Sequence, residues 1–335
     1  MEKNYSNLIL NKLGKNNISK FAVILGLSPS KGARSPILWN SVYKKMNKNI
    51  SMVPFDVKKE KIKKIFELLK LDPNFIGGSV TVPYKTKMIE FVDLIDPIAK
   101  IIGSINSIKN IDGKKFLGFN TDYNGCSATL KKIKLQKNDK ILIIGIGGAG
   151  KACVLSALNI YKNNSIYLFN RDYIKIKKFK SKLKSKKIIL IKNYKTLNNL
   201  TDIKLIINAS SVGFDNWFKN KNGYFNLKHF SPFFNLKSIG MTKSKNDGKF
   251  VKKNALLIKN SILETYRFFK KNSKAKVFDI IYNPQKTILQ KVCELFNNET
   301  YNGYKMNLEQ AAFAFAKVNK IKNFSKIKKL MLQIK

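Results

Sequence analysis

The stretch Ile141-Leu142-Ile143-Ile144-Gly145-Ile146-Gly147-Gly148-Ala149-Gly150-Lys151-Ala152 limits what the chain can fold into more than any other. Four consecutive aliphatic residues predict a strand covered on both faces. The spacing G-x-G-x-x-G follows at once, and Ala152-Cys153-Val154-Leu155-Ser156-Ala157-Leu158 continues as a helix. Gly145 permits a tight turn, Gly147 lets a pyrophosphate approach the backbone, and Gly150 lets the helix pack close to the strand. Gly148 and Ala149 complete the turn, and the free N–H groups and dipole of the helix favour phosphates. Glycine turns recur without ligands, but here strand, turn and helix stand in the order a dinucleotide site requires. A second strand, Ser165–Phe169, ends at Asn170-Arg171, about where the contact to the adenosine ribose belongs.

Strand and helix patterns alternate along the rest of the chain. Phe21–Gly26 reads as a first strand, and the loop after it enters a helix at Pro36, with Ser35 at the N-cap position. Ser35 is there either to cap the helix or to present its hydroxyl to an anionic substrate, and the pattern leaves both open. Ser51–Phe55 is a strand and Lys59–Leu71 a helix. Gly77 to Lys85 reads as a strand that stops at Pro83 and starts a helix, with Lys85 at the transition. A helix begins at Asp96-Pro97, a strand follows Gly103, and Gly118-Phe119-Asn120-Thr121-Asp122 leads into a helix through Leu130, where Asp122 is a candidate cap. Lys131–Asp139 is polar and suits a hinge. Further on, Tyr173–Ser185 is a basic helix, Leu205–Ser211 a strand ending in small polar residues, and Val277–Tyr282 the last clear strand. Thr287–Phe296, Met306–Val318 and Asn319–Lys335 complete the chain as helices. The alternation predicts an α/β class with a parallel sheet.

The formal net charge of +45 invites a nucleic-acid reading. Its make-up argues against one. All but three of the 65 basic residues are lysine, the exceptions being Arg34, Arg171 and Arg267, and the lysines are spread along the whole chain. No nucleic-acid-binding motif accompanies them, so no specific nucleic-acid partner is expected. Cys126, Cys153 and Cys293 lie far apart without a C-x-x-C pair, which reads as thiols of a reducing compartment with no metal site. Neither a signal-peptide pattern nor a stretch of transmembrane length is present, and a soluble, cytoplasmic protein is expected. His229, the one histidine, lies in Lys228-His229-Phe230, away from every candidate site. A general acid or base must therefore be Lys, Asp, Glu, Tyr or Cys.

Taken in order, these segments resemble the shikimate dehydrogenase family, whose members reduce 3-dehydroshikimate with NADPH. The family's S-P-x-x-H-N looks like Ser35-Pro36-Ile37-Leu38-Trp39-Asn40, and its N-V-T-x-P-x-K like Ser79 to Lys85. G-A-x-N-T resembles Gly103 to Ser107, and N-T-D stands at Asn120-Thr121-Asp122. The family's N-R, N-a-T/S-x-x-G and D-x-x-Y-x-P follow at Asn170, Asn208 and Asp279, and the closing G-x-x-M-x-x-x-Q runs from Gly303 to Gln310. The resemblance implies Lys85 and Asp122 as the catalytic pair. Ser35, Thr81, Asn106, Tyr282 and Gln310 would hold the substrate. Gly145, Gly147, Gly148, Ala149, Gly150, Asn170, Arg171, Asn208 and Gly303 would hold the cofactor. A secondary alcohol needs one group to take or return its proton, and a partly desolvated lysine oriented by a carboxylate suits that task.

Three departures stand out. Ala33 replaces the first serine of S-x-S-P, which removes one hydroxyl contact to the substrate carboxylate and leaves it to Ser35, Tyr282, Lys31 or Arg34. Ser79 replaces the asparagine before V-T. Asp215–Ala275 lies outside the family pattern and reads as an insertion, with one helix pattern at Leu256–Phe269. Arg171 and the lysines of Tyr173–Lys178 favour NADP, while Asp172 would suit the free 2′-OH of NAD, which is the alternative cofactor. The expected organisation is a two-domain α/β enzyme. Residues 1–130 form a substrate domain completed by helices in 305–335, facing a Rossmann NADP-binding domain of 131–304 across a cleft. A small-molecule substrate, no membrane partner, and a monomer or homodimer complete the expectation. The rivals are an NAD-preferring quinate/shikimate enzyme and a catalytically silent dinucleotide-binding module.

Overall fold

The computed structural model describes residues 5–14, 19–220, 223–236 and 244–333. Its elements run β1 (Lys20–Gly26), α1 (Ser35–Lys45), β2 (Ile50–Asp56), α2 (Ile62–Leu71), β3 (Phe75–Val80), β4 (Leu94–Ile95), α3 (Pro97–Ile102), β5 (Ser107–Ile111), β6 (Lys115–Phe119) and α4 (Asp122–Leu130). They continue as β7 (Lys140–Ile144), α5 (Gly148–Ile160), β8 (Ser165–Phe169), α6 (Tyr173–Leu183), β9 (Ile188–Ile191), α7 (Tyr194–Asn198), β10 (Ile203–Asn208), β11 (Trp217–Asn220) and β12 (Gly223–Asn226). Last come α8 (Asp247–Lys253), α9 (Ala255–Lys271), β13 (Lys276–Asp279), α10 (Ile288–Glu294), β14 (Thr300–Tyr301), α11 (Gly303–Val318) and α12 (Phe324–Leu332). The chain divides into two units, Met1–Gly125 with Asn307–Lys335 and Cys126–Met306.

In the first unit the strand order is β2-β1-β3-β5-β6-β4. Alternate residues of β1 serve opposite faces, as a pleated strand requires. Phe21, Val23 and Leu25 join Phe55, Ile62, Ile65, Phe66 and Leu69, a core that α2 covers. Ala22 and Ile24 join Leu38, Trp39, Val42 and Tyr43 of α1 and Leu308, Ala311, Ala312 and Phe315 of α11 on the other face. The sheet is mixed, which departs from the parallel sheet expected of the alternating pattern. Strand β3 pairs antiparallel with β5, and β5 pairs antiparallel with β6 because the short turn through Asp112 and Gly113 leaves no room for a crossover helix. Two local expectations also change. Arg34 takes the N-cap position, and Ser35 is the first helical residue. After Pro83 the chain forms turns and only a 3₁₀ segment, Lys87–Glu90, so Lys85 stands in a turn rather than at a helix start.

In the second unit the order is β14-β13-β10-β7-β8-β9, with every neighbouring pair parallel. Counted along this unit, that is the doubly wound order 3-2-1-4-5-6. Ile141, Leu142 and Ile143 are fully buried, as a strand covered on both faces must be. The direction of winding reverses between β7 and β10, so their C-terminal ends frame a crevice where ligands of such sheets bind. The segment expected as an insertion contributes to this core. Phe268 and Phe269 of α9 are fully buried against Leu142, Ile144, Ile206, Val277 and Leu289. Upstream, the antiparallel β11–β12 hairpin lies beside a satellite cluster of Phe230, Phe234 and Phe250. Truncating Phe268 to alanine should lower the free energy of unfolding by about 3–5 kcal/mol. Leu256→Ala, at an exposed position of the same helix, should change it by no more than about 0.5 kcal/mol, as read by urea denaturation.

Candidate active site

The first unit brings four of the sequence-predicted residues into one network. Lys85 lies in the turn after β3, and its backbone is fixed because its carbonyl accepts the Ile105 N–H at 2.8 Å. Its Nζ donates to Asp122 Oδ2 at 2.8 Å, with the two side chains 23% and 7% exposed. The other carboxylate oxygen, Oδ1, accepts from Asn106 Nδ2 at 2.9 Å. Asp122 is the first residue of α4, where the helix dipole favours a negative charge, and its own N–H donates to Asn120 Oδ1 at 3.0 Å. A half-buried ion pair is tolerable only when the remaining lone pairs are met, and here both carboxylate oxygens have partners.

Asn106 is the hub. Its Oδ1 accepts the Thr121 N–H at 2.8 Å and the Ser107 hydroxyl at 3.1 Å. Its Nδ2 also stands 3.1 Å from Thr121 Oγ1 and 3.3 Å from Gln310 Oε1, so two protons face three acceptors. Thr121 Oγ1 donates to Gln310 Oε1 at 3.2 Å. Thr121 is a member that the sequence reading passed over. The signal was present in the N-T-D run, of which only the acid drew attention. Thr81 and Ser35 belong to the same unit. Thr81 donates its N–H to Leu25 O at 2.8 Å and packs so closely on Gly26 that a Cβ there would lie 2.3 Å from Thr81 Cγ2. Ser35 is 7% exposed at the start of α1.

The predicted cofactor residues sit in the second unit. Gly145 has φ +102°, and a Cβ on it would lie 2.7 Å from the Ala209 backbone. A Cβ on Gly150 would lie 2.3 Å from Gly145 O, so these two positions exclude any side chain. Gly147 is the N-cap of α5 and has open space where a Cβ would be, while Gly148 and Ala149 open the helix. The N–H groups of that first turn have no intrahelical partners. A cradle of this form fits a pyrophosphate. Asn170 and Arg171 follow β8, with Asn170 Nδ2 donating to Asp172 O at 3.0 Å and Arg171 exposed. Asp172 caps α6, its Oδ1 accepting the Lys175 N–H at 3.3 Å, and Lys175 Nζ stands 3.5 Å from Oδ2. The carboxylate that weighed toward NAD is thus occupied by the helix it starts.

Two further residues of that set serve the scaffold. Gly303 opens α11 against β13, where a Cβ would lie 1.8 Å from Ile280 O, so its smallness meets a packing need. Asn208 is fully buried at the end of β10. Its Nδ2 donates to both oxygens of Asp279 at 3.1 Å, and its Oδ1 accepts the Ser210 N–H and hydroxyl at 3.1 and 2.7 Å. Asp279 also accepts from Thr287 Oγ1 at 2.8 Å and the Ile281 N–H at 3.0 Å. Asn208 and Asp279 therefore shape the loops after β10 and β13, including the turn that carries half-buried Tyr282. His229 pairs with Asp247 at 2.9 Å. Among the described residues no group of three or more His, Cys, Asp or Glu is placed to hold a metal.

A family model described as the shikimate dehydrogenase substrate binding domain matches residues 26–108. The chain is 30% identical over 292 residues to the shikimate dehydrogenase (NADP(+)) of Methanosphaera stadtmanae, covering 86% of this chain and 87% of that one. The Methanocaldococcus jannaschii protein of the same name is 30% identical over 299 residues, covering 87% and 89%. The chain belongs to the shikimate dehydrogenase family. A shikimate dehydrogenase crystallised with NADP+ has the same fold, with a TM-score of 0.67 at 26% identity over 96% of this chain and 98% of that one. The quinate dehydrogenase of Corynebacterium glutamicum has a TM-score of 0.70 at 16% identity over 95% of this chain and all of that one, a likeness of fold alone.

Burial pushes the Asp279 carboxyl up to about 6, against the pull of its Ile281, Thr287 and Asn208 donors. The folded state therefore keeps a proton that the unfolded chain gives up near its ordinary value of 3.8. Stability contributed by this group is complete below the unfolded value and falls as pH rises through the folded one. Thermal melts from pH 4 to 7 should show that decline, and Asp279→Asn should flatten it.

Proposed function

We propose that the chain is a shikimate dehydrogenase, reversibly reducing 3-dehydroshikimate to shikimate with NADPH in aromatic biosynthesis. One observation carries the reading: in a chain of this family, Lys85 and Asp122 pair at 2.8 Å inside a network of neutral amides and hydroxyls. When bound, the reduced dinucleotide supplies the hydride. Lys85 then donates a proton to the substrate oxygen as the carbonyl carbon becomes a secondary alcohol. Asp122 holds the ammonium in line. In the oxidative direction the same nitrogen receives the hydroxyl proton. Asn106, Thr121 and Gln310 offer amide and hydroxyl groups to the neighbouring substrate hydroxyls, with Thr81 and Ser35 as further binding groups of the first unit.

For the dinucleotide, the turn Gly145 to Gly150 holds the pyrophosphate, and Arg171 with the lysines of α6 takes the 2′-phosphate. Asp172 does not oppose this, because its carboxylate caps α6 and pairs with Lys175. Residues 1–125 with 307–335 act as the substrate-binding part, and 126–306 as the dinucleotide-binding part. Three buried free cysteines and the small-molecule chemistry fit a cytoplasmic setting, and no helix among the described residues is long and apolar enough to cross a membrane.

Purified protein given shikimate and NADP+ should develop the nicotinamide absorbance band, with NAD+ or quinate giving kcat/KM lower by about tenfold or more. Growth of the band with NAD+ alone, or with quinate in preference to shikimate, would replace this reading by the quinate/shikimate one. Silence with all four combinations would leave a dinucleotide-binding module without turnover.

A further inference from the structure

We infer that Arg34 is a binding residue for the substrate carboxylate, a cation that takes the place of the hydroxyl lacking at Ala33. The inference deepens the functional reading above and rests on it. Arg34 belongs to the loop that leaves β1 at Gly26, beside Thr81, and it stands as the N-cap of α1. Its Nη1 donates to Asn307 Oδ1 at 3.1 Å. Asn307 precedes Gln310 by three positions on α11, so both side chains share one face of that helix. Gln310 Oε1 is in turn within 3.3 Å of Asn106 Nδ2 and 3.2 Å of Thr121 Oγ1. Arg34 is thereby tied, through one helical turn, to the network that holds Lys85 and Asp122.

Charge makes that position informative. Lys85 and Asp122 neutralise one another, and Asn106, Thr121 and Gln310 are neutral. An anionic substrate entering this group needs a cation from its edge. Arginine is also rare here, at three positions in a chain whose other basic residues are lysine. A planar guanidinium can meet both oxygens of a carboxylate at once, which a serine hydroxyl or a lysine ammonium cannot. Asn307, the partner of Nη1, is neutral and adds no anion of its own beside the guanidinium. The other end of the loop is pinned too, since Asp56 accepts the Ser30 N–H at 2.8 Å and the Ser30 hydroxyl at 2.5 Å.

The test compares shikimate with shikimate methyl ester, which has the same hydroxyls and no negative charge, on native enzyme, Arg34→Met and Arg34→Lys. Arg34→Met should raise KM for shikimate by about 10–100-fold and leave kcat within about threefold, a binding loss of the size of a charged hydrogen bond. The ester should lose less than about twofold, and Arg34→Lys should fall between native and Arg34→Met for the acid. A shift below about threefold for shikimate, or equal losses for acid and ester, would overturn the inference. Should Arg34→Met fail to fold, judged by circular dichroism, Asn307→Ala makes the same comparison. It should raise KM for the acid selectively, and unchanged acid selectivity would overturn the inference just as well. If the native enzyme neither turns over nor binds shikimate, the functional reading fails and takes this inference with it. Native turnover with no selective loss in the variants sinks the inference alone.

Discussion

Taking an ammonium and a carboxylate out of water costs several kcal/mol per ion unless each finds its partner and its hydrogen bonds. That constraint explains why the first unit is built as it is around Lys85 and Asp122. Asp122 Oδ2 faces the lysine and Oδ1 faces Asn106, so neither oxygen is left bare. Asn106 in turn is held through its Oδ1 by the Thr121 N–H and the Ser107 hydroxyl. The three elements involved, the turn after β3, the start of β5 and the start of α4, are neighbours only because β3, β5 and β6 lie side by side. The mixed pairing of that sheet is what places a lysine from one strand end beside an aspartate from another.

The second unit meets a different constraint, that of bringing backbone amides to a phosphate. Its solution is steric. Gly145 and Gly150 touch backbone where any side chain would collide, which seats α5 tightly over the end of β7 and leaves open space at Gly147. Asn208 and Asp279 hold the ends of β10 and β13 in register with buried polar bonds that all have partners. A buried network with every group satisfied fixes loop shape.

The dinucleotide unit was largely legible in sequence, because four aliphatic residues, a glycine turn and a helix form one local signal, and β8 appears with the bounds that its pattern predicts. β9 escaped notice as a run of only four residues, and the β5–β6 hairpin because alternating strands and helices suggest crossovers everywhere. The site was legible only through the ordered motifs. Nothing local separates Lys85 from the other lysines, since its meaning comes from Asp122, far away in the chain. Asn208 shows the opposite limit. Its motif suggests a ligand contact, whereas its burial and its bonds to Asp279 give it a structural task. The segment Asp215–Ala275 reads as an insertion because it lies outside the family pattern, yet Phe268 and Phe269 are core residues of the sheet.

In the proposed reaction Lys85 moves the proton while hydride is transferred. This role is tested most directly by a single-turnover measurement of hydride transfer from shikimate to NADP+ in native protein and in Lys85→Met. The account predicts that the variant slows the transfer step itself by about 10²–10⁴-fold. It should still bind NADP+ with native affinity. Transfer in the variant at the native rate would contradict the account.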